Sequence, residues 1–317
     1  MTAPAPRILA LSGGVGGARL ARGLADVLPP GDLAVAVNVA DDFVHLGLSV
    51  SPDLDTVMYT LAGVVNPQTG WGRDTESWAF MAALEQLGGE TWFRLGDRDL
   101  AVHVERTSRL AAGESLSAIT AALSRRLGVA SELLPVSDDR VATIVTTPQG
   151  PLAFQDYFVR HRCEPAALGF AFEGAATARL HPRILALLAD PALQAVVIGP
   201  SNPYVSIGPM LAVPGLRAAL AACRAPVVAV SPIVGGQAVK GPAAKMMRER
   251  GIVPSPTAVA AEYGPLLDGF VIDEADRALA DRIAGPRVHV APTLMHGDAE
   301  RRHLARDVLA FAAELAR

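Results

Sequence analysis

The sequence is poor in four things, and each scarcity closes off a class of protein. Cysteine occurs only as Cys163 and Cys223, far apart and in no Cys-x-x-Cys pair. A disulfide framework or a cysteine-bound metal is therefore not expected, and reduced thiols in a cytoplasmic protein are. Long apolar runs are missing. A bilayer span needs about 20 apolar residues in a row, and every run here falls far short. The segment before Arg7, with Pro4 and Pro6, lacks the apolar stretch of a secretory signal. Aromatic residues are 5% of the chain, so Ala, Val and Leu must fill most of the core. Charged residues are 19%, the net charge is −4, and no Lys/Arg block is present. Nucleic acid is not an expected partner.

What is present points to a globular α/β protein. The 317 residues are 50% hydrophobic, enough to bury roughly three quarters of the unfolded surface. Ile8–Leu11 is an apolar run that stops at Ser12-Gly13-Gly14, as a buried parallel strand does. Leu20, Leu24, Val27 and Leu28 then recur at helical spacing before Pro29-Pro30, and Leu33–Val39 reads as a second buried strand. Helices are expected over Asp55–Val64, Glu76–Leu87 and Ser115–Leu127. Val141–Thr147 and Leu152–Val159 read as a hairpin, which is foreign to a parallel sheet. Strands return at Ala195–Gly199, Val227–Val230, Gly269–Ile272 and Arg287–Val290, and Arg301–Leu315 closes the chain as a helix. The expectation is a Rossmann-like, doubly wound, mostly parallel sheet. Residues 1–65 and 191–317 would form the nucleotide-binding core, and 66–190 an inserted α+β subdomain.

Six constellations could carry chemistry. Gly13, Gly14, Val15 and Gly16 follow a strand and open a helix that includes Arg19. Such a turn lets backbone amides approach a phosphate closely. No Lys-Ser/Thr follows, so it is not a Walker A loop. Arg19 also stands where a dinucleotide fingerprint starting at Gly14 needs its third glycine, against a nicotinamide-dependent oxidoreductase. Asp41 and Asp42 lie at the end of the second strand, where open sheets bind ligands. Carboxylates beside a diphosphate call for a cation, and Mg2+ takes one or two of them plus phosphate oxygens. Asp53 and Asp55 flank a helix start; one is expected as a cap, the other free for metal or a hydroxyl. Gly96-Asp97-Arg98-Asp99 reads as a polar loop. Ser201 and Asn202 sit between Pro200 and Pro203 in a rigid turn beyond a strand. Ser231 ends another strand, and the Lys240–Lys245 run opens a helix from which Lys245 could reach a phosphate. His45, His103 and His161 are scattered without metal-ligand spacing and read as structural or exposed.

In this order, the segments SGGVGGARL at Ser12, NVADD at Asn38, SPDLDTVMYTL at Ser51, WFRLGDRDLAVH at Trp92, FQDYFV at Phe154, IGPSNPYVSIGP at Ile198, SPIVGG at Ser231 and GPAAKMM at Gly241 resemble one family. It is the 2-phospho-L-lactate transferase family of deazaflavin coenzyme F420 biosynthesis. The resemblance covers essentially the whole chain. It implies a guanosine diphospho-acid donor and the acceptor Fo, an 8-hydroxy-5-deazaflavin whose ribityl hydroxyl displaces GMP with Mg2+ present. It also implies a cytoplasmic homodimer. The acid could be phospholactate, phosphoenolpyruvate or 3-phosphoglycerate. Asp41 and Asp55 are then the expected metal ligands and catalytic carboxylates, with Asp42 and Asp53 in reserve. Asp55 and Arg94 are expected near Fo, within the Asp97-Arg98 neighbourhood, and Ser201, Asn202 and Ser231 on the guanosine side. Asp55→Asn is expected to abolish turnover with the fold intact. Val44, beside Phe43, stands where the family carries Trp. A related group with this fold, non-catalytic regulators that bind nucleotide sugars, is the alternative; the SPDLDT and LGDRD segments set the chain apart from it.

Overall fold

A computed structural model describes residues 7–316; the stretch with Pro4 and Pro6 lies outside the described residues. Seven strands carry the molecule: β1 (Ile8–Ser12), β2 (Leu33–Val37), β3 (Glu132–Pro135), β4 (Ala195–Ile198), β5 (Val227–Val230), β6 (Gly269–Ile272) and β7 (Arg287–Val290). They pair in parallel throughout, in the order β7-β6-β5-β4-β1-β2-β3. β1, β2, β4 and β5 are runs of small and branched apolar residues, buried along their whole length. That pattern arises when helices cover both faces of a sheet.

The order reverses between β1 and β4, its topological switch point. There the chain leaves neighbouring strands toward opposite faces and opens a crevice beyond their carboxyl ends. Helix α1 (Gly14–Val27) leaves β1 on one face, packed against α2 (Pro52–Ala62) and the terminal helix Asp298–Leu315. Proline at the first position of α2 costs no hydrogen bond, because that N–H has no partner in any helix. Gly63, at φ 71, ends α2 in the left-handed region.

The sheet differs from expectation at one edge. β3 falls inside residues 66–190, so the main sheet takes a strand from the stretch read as a separate insertion. Its four residues, opened by Glu132 and closed by Pro135, are too short and too polar to announce a core strand. The rest of that stretch forms α3 (Ala79–Gln86), α4 (Asp97–Ala111), α5 (Leu116–Arg126) and an antiparallel sheet of Gly150–Ala153, Ala142–Thr147 and Gly169–Glu173. The expected strand Leu152–Val159 stops at Ala153. Beyond it Asp156–Arg160 coils into a wide helical turn that buries Tyr157. Phe43–His45 and Leu48–Val50 make a short hairpin unforeseen in the sequence. Among the described residues no single helix is long and apolar enough to cross a membrane.

Candidate active site

The turn after β1 is held from two sides. Gly13 N–H donates to Ser201 Oγ at 3.1 Å, and the Ser201 hydroxyl donates back to the Gly13 carbonyl at 2.8 Å. This locks the loop after β1 to the loop after β4 at the switch point. Gly14 N–H donates to Asp53 Oδ1 at 2.7 Å, from a backbone at φ +63 that disfavours any residue with a Cβ. Asp53 Oδ2 accepts from Asn38 Nδ2 at 3.0 Å. Asp53 thus does not cap its own helix; it braces the glycine turn. A Cβ on Gly16 would land on the Pro200 carbonyl oxygen, so that glycine serves the approach of two loops as well as of a ligand. With Gly13 and Gly14 engaged, the Val15 and Gly16 amides are the helix N-terminal donors for which no partner appears among the described residues.

The turn forms one wall of a cleft of about 520 Å3. Asp41, Asp53, Asp55, Ser201 and Asn202 line it, as expected from the sequence, and so does Arg94, stacked 4.3 Å from the ring centre of Trp78. The lining also includes an aromatic set: Tyr59, Trp71, Phe93, Phe154 and Phe158. Phe154 and Phe158 stack at 5.4 Å. Val44 points to solvent, while Phe43 joins Trp92 and Phe93 in an aromatic cluster.

The carboxylates divide into two groups. Asp41, Asp42 and Asp53 are clustered at the end of β2 and the start of α2. Burial pushes Asp41 well up, and the charges of Asp53 and Asp42 add to it. Burial likewise raises Asp42, against a bond from the Ser51 hydroxyl, and lifts Asp53 to about 6. Asp41 Oδ1 is buried without a hydrogen-bond partner. Crowded carboxylates with an orphaned oxygen are what a divalent cation relieves.

Asp55 belongs to the other group. Both of its oxygens receive the buried guanidinium of Arg106, from α4, with Nη1 at 3.1 Å from Oδ2 and Nη2 on Oδ1. Asp55 strengthens the hold of Arg106 on its proton, against the pull of burial. Tyr59 donates to Asp99 Oδ1 at 2.6 Å, and His103 Nε2 lies 3.4 Å from the same carboxylate. Burial works to raise Asp99, but the contacts with His103 and Tyr59 leave it lowered. Asp55, Asp99 and His103 present ligand atoms within 4.8 Å of one another, a spacing that would suit an ion. Arg106 already supplies the cation there. As a donor-only group 3.3 Å from His103 Nδ1, it also makes that nitrogen an acceptor and places the ring proton on Nε2. Asp55 as a metal ligand, the expectation from the sequence, therefore competes with a buried ion pair, and His103, expected to be structural or exposed, is buried at the cleft.

Five other expected residues lie outside the cleft lining. Asp97 accepts the Ala79 and Phe80 amides and so caps α3, while Glu76 accepts the Arg98 and Asp99 amides and caps α4. The acid-base-acid triplet is this reciprocal helix start, not a loop, and the Arg98 side chain rests on Thr75. Ser231 closes its own turn, donating to the Ile233 carbonyl at 2.9 Å. Lys245 is paired with Glu249 and the Pro165 carbonyl. Arg19, also outside the lining, donates to the Met295 carbonyl at 2.9 Å.

These features define a Rossmann-like α/β protein whose switch-point cleft sets helix N-terminal amides beside buried carboxylates. A family model described as 2-phospho-L-lactate transferase CofD matches residues 8–305, and the chain belongs to that family of transferases. It is similar to proteins named phosphoenolpyruvate transferase. One from Kitasatospora aureofaciens is 45% identical over 98% of each chain. One from Thermobifida fusca is 43% identical, again over 98% of each. Among solved structures, a UPF0052 family protein from Bacillus halodurans shares the fold at a TM-score of 0.59 and 14% identity, covering 97% of this chain and 100% of its own.

Proposed function

We propose that the protein is a Mg2+-dependent phosphoenolpyruvate transferase of deazaflavin coenzyme biosynthesis. It would take a guanosine diphospho-enolpyruvate donor and the acceptor Fo, and release GMP and dehydro-F420-0. The observation that carries this is a single cleft lined by the glycine turn, three buried aspartates and an aromatic set. The names of the relatives favour phosphoenolpyruvate over phospholactate and 3-phosphoglycerate as the acid.

In this reading the donor's phosphates rest on the Val15 and Gly16 amides, helped by the helix dipole. The terminal ribityl hydroxyl of Fo attacks the phosphorus that bears the acid. The bond from that phosphorus to the bridging anhydride oxygen breaks, GMP leaves with that oxygen, and the hydroxyl proton goes to solvent. A loose transition state of this kind asks for alignment and charge neutralisation more than for a strong base. Mg2+ would neutralise charge on the anhydride, and Asp41, with Asp53 beside it, would hold the ion. Asp55, fixed by Arg106, orients the acceptor side. The aromatic set and Arg94, both largely from residues 66–190, hold the deazaflavin ring. Assembly as a cytoplasmic homodimer belongs to the same reading, and sedimentation would give the stoichiometry.

Purified protein mixed with Fo, Mg2+ and each of the three guanosine diphospho-acids tests the proposal. The expected result is GMP release and a more anionic deazaflavin, fastest with the enolpyruvyl donor. No turnover with any of the three donors overturns it.

A further inference from the structure

Lys240 is a cation without a carboxylate partner among the described residues. Its ammonium lines the cleft and donates to the Thr69 carbonyl at 2.7 Å. Thr69 follows α2 and Lys240 precedes the helix Ala243–Glu249, so this bond joins two distant loops at the rim of the cleft. The chain's other lysine, Lys245, has Glu249 as its partner. Among the described residues no carboxylate makes a salt bridge to Lys240. Burial and the like charge of Arg19 both press its pKa down. A neutral carbonyl is a weak partner for an ammonium compared with an anion.

The position of this cation is informative. A Cβ on Gly70 would lie 2.7 Å from Val15 Cγ1 and 3.4 Å from Lys240 Nζ. The ammonium and the start of α1 are therefore separated by a single glycine. Val15, Gly16 and Lys240 line the same cleft from different loops, with Gly70 between the Val15 side chain and the ammonium. A lysine suits such a place because it is a compact charge on a flexible stem, able to move from a resting partner to a ligand.

We propose that Lys240 is a binding residue for the donor's diphosphate. Its ammonium leaves the Thr69 carbonyl and pairs with phosphate oxygens seated on the glycine turn. This inference rests on the reading of the cleft as a nucleotide diphosphate site. Calorimetric titration of GDP and of GMP, each with Mg2+, into wild type, Lys240→Met and Lys240→Arg tests it. The expected result is at least a tenfold weaker GDP affinity in Lys240→Met, less than a threefold change for GMP, and substantial recovery of GDP binding in Lys240→Arg. The dependence of GDP affinity on salt should also flatten in Lys240→Met. Equal GDP affinity in wild type and Lys240→Met, or equal loss for GDP and GMP, overturns the assignment of Lys240 alone. A wild-type protein that binds no GDP overturns both this assignment and the reading of the cleft.

Discussion

Two groups of aspartates meet at one cleft and differ in what balances them. Asp55 and Asp99 have Arg106, His103 and Tyr59, all supplied by the chain. Asp41, Asp42 and Asp53 have Asn38, Ser51 and the Gly14 amide, which are dipoles; the Arg106 charge acts on Asp42 from a distance, and no salt bridge among the described residues reaches the three. A cluster compensated from within is scaffold. A cluster left short of positive charge is a place where an external cation is in demand. On the proposed reading this difference favours Asp41 over Asp55 as a metal ligand, and spacing along the chain could not reveal it.

The sharpest way to break the comparison is to remove Arg106. Arg106→Met leaves Asp55 buried without its partner, and a loss of about 3–5 kcal/mol of stability is expected, read by urea unfolding. A double variant, Asp55→Leu with Arg106→Met, should regain much of it. Asp55→Asn, which sequence reasoning expects to leave the fold intact, should instead lower stability by stranding the guanidinium. If Asp55→Asn unfolds like wild type, the pair is not holding the site.

Asp41→Asn should do the reverse. Turnover with Mg2+ should fall by about 100-fold or more, since a divalent ion is worth several kcal/mol at a transferring phosphate. The Tm of metal-free protein should hold or rise, because one crowded charge is gone. A Tm loss equal to that of Asp55→Asn would erase the distinction between the clusters. Ser201→Ala, which strands the Gly13 N–H and carbonyl, should cost about 1–3 kcal/mol and weaken nucleotide binding with little change in Mg2+ dependence.

The smallest effect is in pH dependence, where the two clusters should show opposite signs. In metal-free protein Asp53 is raised to about 6. Its contribution to stability is fully present below the ordinary carboxylate value and is lost as pH rises through about 6. Asp99 is depressed. Its contribution is present above the ordinary value and is lost as pH falls through the lowered one. Carboxyl carbon NMR titration separates them; an Asp53 midpoint near the ordinary value of about 4 would count against crowding in the first cluster.

Much of this was legible in the sequence. β1, α1 and β2 announce themselves by period and by the glycine turn between them, and β4, β5 and β6 by short buried runs. The carboxyl-end rule then pointed to Asp41, Asp42 and Ser201, and the helix start to Asp53 and Asp55. Other parts were hidden for physical reasons. β3 is an edge strand with a charged first residue. Arg106 sits beside Glu105 and Arg109 in a helix that reads as a solvated surface, and only three-dimensional packing buries it. Lys245 could reach a phosphate by its place in the sequence, yet Glu249 one turn later takes its charge. Asp97 looked like a site residue because caps and ligand-binding acids use the same residue types.

The clasp between Ser201 and Gly13 joins positions 188 residues apart. The proposed seat for the phosphates is therefore spliced from the first and the second half of the chain. A nascent polypeptide emerging from the ribosome carries the glycine turn early but cannot set it until Ser201 has been made and β4 has docked beside β1. Nucleotide affinity should thus appear late in synthesis, as a sign that the two halves have met.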